Sequence, residues 1–215
     1  MRRVVPGCLA PVLPILIILG LAAGAAAAGP ADGLSAAADP IEQIRVAAEQ
    51  GNAQAQFNLG IGYERGRGVA KDPLQAVKWL RRAAEQGNDD AEYALGCCYN
   101  GDDGFPKDAA EAAKWWGKAA VQGCADAEYC LGLSYYLGEG VPADRTASAQ
   151  WWSKAAAQGH AEAEYFLGLS YALGLGLPKD QPQAIRWLRR AADGGEENAV
   201  AVLKKLGGAG KVIAE

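Results

Sequence analysis

Four cysteines and one histidine hold most of the chemistry this chain could perform. Cys97, Cys98, Cys124 and Cys130 cluster in the middle of the 215 residues, and Cys8 stands near the N-terminus. Thiols in such numbers serve as metal ligands, nucleophiles or disulfide partners. A zinc site needs ligand pairs at C-x-x-C or paired-histidine spacing, and none exists here. His160 is the only histidine, so a serine or cysteine triad lacks its ordinary base. Gly207-Gly-Ala-Gly-Lys211 has part of a phosphate loop, but its first glycine is misplaced and Val212 stands where Ser or Thr must hold the cation. Disulfides remain open. Cys97 or Cys98 with Cys130 would join two helices, and Cys124 with Cys130 would clip a helix start; buried thiols acting as small apolar side chains are the alternative. No set of residues forms a catalytic centre, so the expectation is a non-enzyme with no cofactor and no metal.

Charge narrows the partners. The formal net charge is −4, and no basic tail offsets it, which excludes nucleic acid as a partner. Half the residues are apolar, yet Phe occurs only three times. Such a chain packs helices closely on small residues.

The elements that position these side chains follow from a 36-residue period. Trp79, Trp115, Trp151 and Trp187 recur at that interval, as do Gly60, Gly96, Gly132 and Gly168, and Tyr63, Tyr99, Tyr135 and Tyr171. A fixed period of this length marks a stacked array whose units bury their apolar faces against one another. Within a unit, Phe57, Leu59, Gly60 and Tyr63 have helical spacing, as do Val77, Leu80 and Ala84, with Gly66-Arg-Gly68 between them. Asp72-Pro73 followed by Gln75 predicts a capping box at the second helix, repeated by Asp108 with Glu111 and Asp180 with Gln183; Asp144 lacks the reciprocal residue. Gly87, Gly123, Gly159 and Gly195 supply left-handed stops. The Gly60 series lets the helices of a unit approach closely, and the Trp79 series is expected to fill the space between units.

The predicted organisation is a signal peptide over 1–28, a linker over 29–38, a capping helix over 39–52, repeats at 53–88, 89–124, 125–160 and 161–196, a C-terminal capping helix over 197–206 and a flexible tail over 207–215. The signal rests on Arg2 and Arg3, the apolar run Leu9 to Ala23 and a small-residue cleavage site. An uncleaved anchor over residues 4–28 is the alternative, since that run approaches the roughly 20 residues that span a bilayer. Either reading exports the repeats, to the periplasm or beyond the cell.

The run Ala163-Glu-Tyr-Phe-Leu-Gly-Leu-Ser-Tyr171, then Gly174-Leu-Gly-Leu-Pro-Lys-Asp180, Ala184-Ile-Arg-Trp-Leu-Arg-Arg-Ala-Ala192 and Gly195 resembles the Sel-1-like repeat, a relative of the tetratricopeptide repeat. The resemblance covers Ile41 to Leu206. It implies an all-α, right-handed α/α solenoid with half-repeat caps, a concave face lined by first helices, and an adaptor role without chemistry of its own. It further implies roles such as restraining a membrane sensor or scaffolding an envelope complex. A cysteine-rich branch of the family is associated with β-lactam binding, but no serine here stands in a Ser-x-x-Lys motif, and the irregular cysteine spacing does not carry that branch's disulfides over.

By that analogy, the binding surface reads from first-helix positions one turn apart. The residues singled out are Tyr93, Tyr129, Tyr136 and Tyr165, with Asp90, Asp126 and Glu162 as rim charges, a mixture that suits a protein or peptide partner bearing basic and apolar side chains. Packing of Tyr93, Tyr129 and Tyr165 between first helices is the plainer alternative. The basic ends of second helices, Arg81-Arg82, Lys118, Lys154 and Arg189-Arg190, are expected to complement helix dipoles and aid solubility; a glycan or membrane surface is the other reading of that edge. His160 falls in an inter-repeat turn, and Asp102-Asp103 reads as a polar loop.

Overall fold

A computed structural model describes residues 40–101 and 104–212, with the side chains of 207–212 set aside. The signal segment, the linker, Asp102-Asp103 and residues 213–215 lie outside it. The described residues form ten helices and no strand: α1 (Pro40–Glu49), α2 (Ala53–Arg65), α3 (Pro73–Glu85), α4 (Asp89–Tyr99), α5 (Ala109–Val121), α6 (Ala125–Leu137), α7 (Arg145–Ala157), α8 (Ala161–Leu173), α9 (Gln181–Asp193) and α10 (Glu197–Val212). Each helix packs on the one before and the one after it. The result is an all-α solenoid with α2, α4, α6 and α8 as first helices and α3, α5, α7 and α9 as second helices.

Aspartates start every second helix, but not through a reciprocal box. Asp72, Asp108, Asp144 and Asp180 each accept backbone N–H bonds from the first turn, and Asp144 does so from Thr146 and Ala147 at 2.9 and 3.0 Å without an acidic or amide residue to answer it. The reason lies in the aspartates' own N–H groups. These donate to the carbonyls of Tyr63, Tyr99, Tyr135 and Tyr171 at 2.7 to 3.0 Å, so the preceding helix already takes the donor that a box would satisfy. That bond ties the two helices of each unit together across the loop.

The repeated glycine admits one large side chain. A Cβ on Gly132 would lie 2.5 Å from Cδ1 and Nε1 of Trp152, and one on Gly168 would lie 2.8 Å from Cγ of Leu188. Leu80, Trp116, Trp152 and Leu188 therefore form the deep wedge, at 0, 5, 1 and 0 % exposure. The Trp79 series packs beside this wedge as core: Trp79 and Trp115 are buried, and Trp151 and Trp187 are half-buried and packed against it. Trp115-Trp116 and Trp151-Trp152 hide the distinction, because both members of each doublet are apolar.

Successive units also lock through their loops. Gly140 holds φ +76°, and a Cβ there would overlap the Ala109 carbonyl and sit 2.9 Å from the Ala110 nitrogen at the start of α5. Gly176 meets Arg145 and Thr146 of α7 in the same way. At the C-terminal end, Lys204 occupies the register position of Gly168. Helix α10 runs on to Val212, past the Leu206 end expected from the period.

A candidate partner-binding surface on the first helices

The face in question is assembled at first-helix N-termini. Asn52, Asn88 and His160 cap α2, α4 and α8, accepting N–H bonds from Ala55, Ala91 and Ala163 at 2.8, 2.8 and 3.3 Å. Cys124 holds the same position before α6 and makes no side-chain cap bond. The cap residues also reach backwards: Asn88 donates to Gln54 at 3.4 Å, and His160 Nε2 lies 3.2 Å from Asp126. Nδ1 meets the Ala163 N–H, while Nε2 faces Asp126 from the other side of the ring. A single residue thus starts one unit and grips the previous one.

Tyr93, Tyr129 and Tyr165 follow in register along α4, α6 and α8, each half-buried. The Tyr129 ring stacks on His160 with centroids 4.7 Å apart and lies 6.0 Å from Phe166. Tyr165 meets Phe166 edge-on at 5.3 Å, and burial, with Glu196 nearby, raises its phenol above the ordinary range. The packing expected as the plainer alternative is therefore real, but it leaves part of each ring open. Tyr136 stands apart from this row. Its ring lies 5.5 Å from Trp152, with the Arg145 guanidinium 5.5 Å above it, both on α7.

Of the three rim acids, Asp90 and Glu162 are exposed and Asp126 is half-exposed. Burial, then the charges of Asp89 and Asp126, raise the Asp90 carboxyl. Asp126 and Glu162 flank His160 at 3.2 and 3.3 Å. The structure brings these acids to one margin of the tyrosine row.

Two features escaped the sequence reading, although both recur every 36 residues. Glu92, Glu128 and Glu164 are nearly fully buried at 3 to 4 % exposure, with Gln56 at the matching position of the first unit. Gln122, Gln158 and Arg190 donate to the three glutamates at 2.8, 2.9 and 2.7 Å, and Gln86 donates to Gln56 at 2.7 Å. Burial raises all three carboxyls, opposed by these partners and by Lys118, Lys154 and Arg190. The second feature is the use of the basic residues. Arg82, Lys118, Lys154 and Arg190 lie over the rings of Trp79, Trp115, Trp151 and Trp187 at 4.7, 3.9, 3.7 and 4.8 Å. All four cover indole faces, and Lys118, Lys154 and Arg190 also offset the buried carboxylates, a more specific task than complementing a dipole.

The four cysteines are thiols. Cys98 and Cys130 belong to the core, with Cys97 and Cys124 packed against it. Burial pushes the Cys124 thiol up to about 11, which makes it a poor nucleophile. Among the described residues, no group of three or more His, Cys, Asp and Glu is placed to hold a metal ion, and no helix is long and apolar enough to cross a membrane.

A stack of helix pairs bearing a half-open aromatic row belongs to the class of helical-repeat solenoids. The Sel1 repeat model matches residues 53–88, 89–124, 125–160 and 161–196, and the chain is a member of that family. Proteins of this family are generally non-catalytic scaffolds for protein interactions. A Sel1 repeat protein from Oxalobacter formigenes is 42 % identical over 77 % of this chain and 48 % of its own, with a TM-score of 0.70. A protective antigen of uropathogenic Escherichia coli with an SLR fold is 41 % identical over 73 % of this chain and 34 % of its own, also at 0.70. The cysteine-rich protein B of Helicobacter pylori shares the fold at 23 % identity over 62 % of this chain and 96 % of its own, with a TM-score of 0.50. The chain thus spans less than half of the Oxalobacter protein and about a third of the Escherichia one. No match was found among curated proteins.

Proposed function

We propose that this chain is an exported adaptor that holds a protein partner on the concave surface of its first helices. Tyr93, Tyr129 and Tyr165 supply the apolar contact, Tyr136 extends it towards α7, and Asp90, Asp126 and Glu162 line its rim. The observation that carries this reading is the row of half-buried rings, one per unit. A ring serving only the core would be closed over, as Trp152 is, whereas aromatic side chains left partly open favour a partner. Export rests on the N-terminal segment, and the likeness to a protective antigen of uropathogenic Escherichia coli supports it. Regulation of a membrane sensor or of an envelope complex is the corresponding role.

Affinity capture from an envelope extract tests the reading, using the parent beside a Tyr129→Ala, Tyr165→Ala variant of unchanged helicity. A partner retained by the parent and lost by the variant supports it. Equal capture by both overturns it, and capture of cell-wall glycan instead would favour a polysaccharide-binding module.

A further inference from the structure

The first-helix surface carries a consistent charge pattern. Helices α2, α4, α6 and α8 hold eight carboxylates against one arginine, whereas α3, α5, α7 and α9 hold ten basic residues against three acidic ones. Three of the eight, Glu92, Glu128 and Glu164, face inward and meet Gln122 and Gln158, the residues that cap the C-termini of α5 and α7, and Arg190 in the last turn of α9. Most of the others stand beside the tyrosine row.

The cap residues serve this margin unevenly. At the first junction Asn88 donates to Gln54, and at the third His160 faces Asp126. At the second junction the register partner of Asp90 is Cys124, a half-buried thiol held protonated by burial. A thiol is a weak donor where an amide or imidazole stands in the neighbouring units. The charges of Asp89 and Asp126 act on Asp90, and those of all three aspartates act on Cys124. The repeat pattern itself therefore marks a position where a donor bearing positive charge fits.

We infer that the occupant of the tyrosine row is a cationic amphipathic helix, lying across α4, α6 and α8 with its apolar stripe on Tyr93, Tyr129 and Tyr165 and a lysine or arginine at Asp90 and Asp126. Charge complementarity selects this chemistry over an acidic or purely apolar partner. The inference rests on the adaptor reading of the same face and adds the partner's chemistry to it.

The test uses two synthetic helical peptides with leucines at i, i+3, i+4 and i+7, one bearing lysines and the other glutamates elsewhere, titrated calorimetrically into the full chain. The lysine peptide should bind one to one, and the glutamate peptide should not bind. Asp90→Asn with Asp126→Asn should weaken the lysine peptide roughly tenfold, as expected when a close charge contact is lost. Glu49→Gln with Glu85→Gln removes the same net charge from exposed sites on α1 and α3 and should leave affinity unchanged. Equal weakening by both double variants would show attraction by net charge alone and overturn the inference. Binding of both peptides alike would do the same. Loss of binding on Tyr129→Ala with Tyr165→Ala, but not on the aspartate changes, would leave the adaptor face standing and remove only the cationic partner.

Discussion

Substituting three glycines by alanine separates backbone conformation from inter-unit packing. Gly117 lies within α5 at ordinary helical geometry, with nothing within 4 Å of a new Cβ. Alanine there should stabilise by about 0.5–1 kcal/mol through helix propensity. Gly159 holds φ +88° in equally open space, so alanine should cost about 1–2 kcal/mol of backbone strain and nothing else. Gly140 adds to a φ of +76° a Cβ that overlaps the Ala109 carbonyl. Backbone cannot rotate away as a side-chain end can, so the loop must lift from α5 and expose what it covers. With strain of about 1–2 kcal/mol and overpacking of about 1–3, the expected loss is about 2–5 kcal/mol. Urea unfolding followed by far-UV circular dichroism reads the series. With a slope of about 2–3 kcal/mol/M, the Gly140→Ala midpoint should fall by roughly 1–2 M, while Gly117→Ala rises slightly. Broadening of the Gly140→Ala transition is also expected, because weakening one junction of a linear array uncouples its two sides. A Gly140→Ala midpoint no lower than that of Gly159→Ala would refute the seating of this loop on the preceding unit.

Other substitutions probe the remaining contacts. Gly132→Leu should destabilise by at least about 1–3 kcal/mol, since even its Cβ would press on Trp152; unchanged thermal melting would contradict the wedge. Cys124→Asn should stabilise by about 1 kcal/mol by supplying the missing cap at α6, checked by the same melting experiment. Glu128→Gln places the Gln56 side chain in the third unit. Because burial raises the Glu128 carboxyl, the folded state holds its proton more tightly than the unfolded state does. That contribution to stability is complete below the ordinary carboxylate range and is lost as pH rises through the raised value. The variant should therefore gain most over the parent near neutrality and lose that advantage in acid, and stability curves of both chains across that range give the sign. Arg190→Ala should cost about 1–3 kcal/mol near neutrality by leaving the buried Glu164 without its donor; a loss below about 1 kcal/mol would show that water reaches the carboxylate.

The architecture is legible because repetition states it four times. Helix starts at Asp72, Asp108, Asp144 and Asp180, stops such as Gly87, and the place of each unit all follow from local rules applied in register. Burial around each helix is less legible. Adjacent positions differ by about 100° of rotation, and Trp151 beside Trp152 gives no composition contrast to choose the inward one. The buried glutamates illustrate another limit. Glu92 sits beside Asp89 and Asp90 in sequence, and charge alone places all three in water; only the opposed Gln122, thirty residues on, shows why one of them can turn inward. His160 was readable as a turn residue, but its grip on Asp126 and its stack on Tyr129 depend on how neighbouring units are set together. The candidate surface was legible in part for the same reason: Tyr93, Tyr129 and Tyr165 share a register, whereas Tyr136 belongs to a different position and packs towards α7.

A partner held on the first helices lies within reach of side chains there and not of those on the second helices. Site-specific photo-crosslinking reads this, with a photoreactive residue placed at exposed Glu162 of α8 or at exposed Gln150 of α7 and the chain irradiated in its native envelope extract. A discrete adduct from position 162 and none from position 150 is the expected result. An adduct from position 150 alone would place the working surface on the second helices and contradict it.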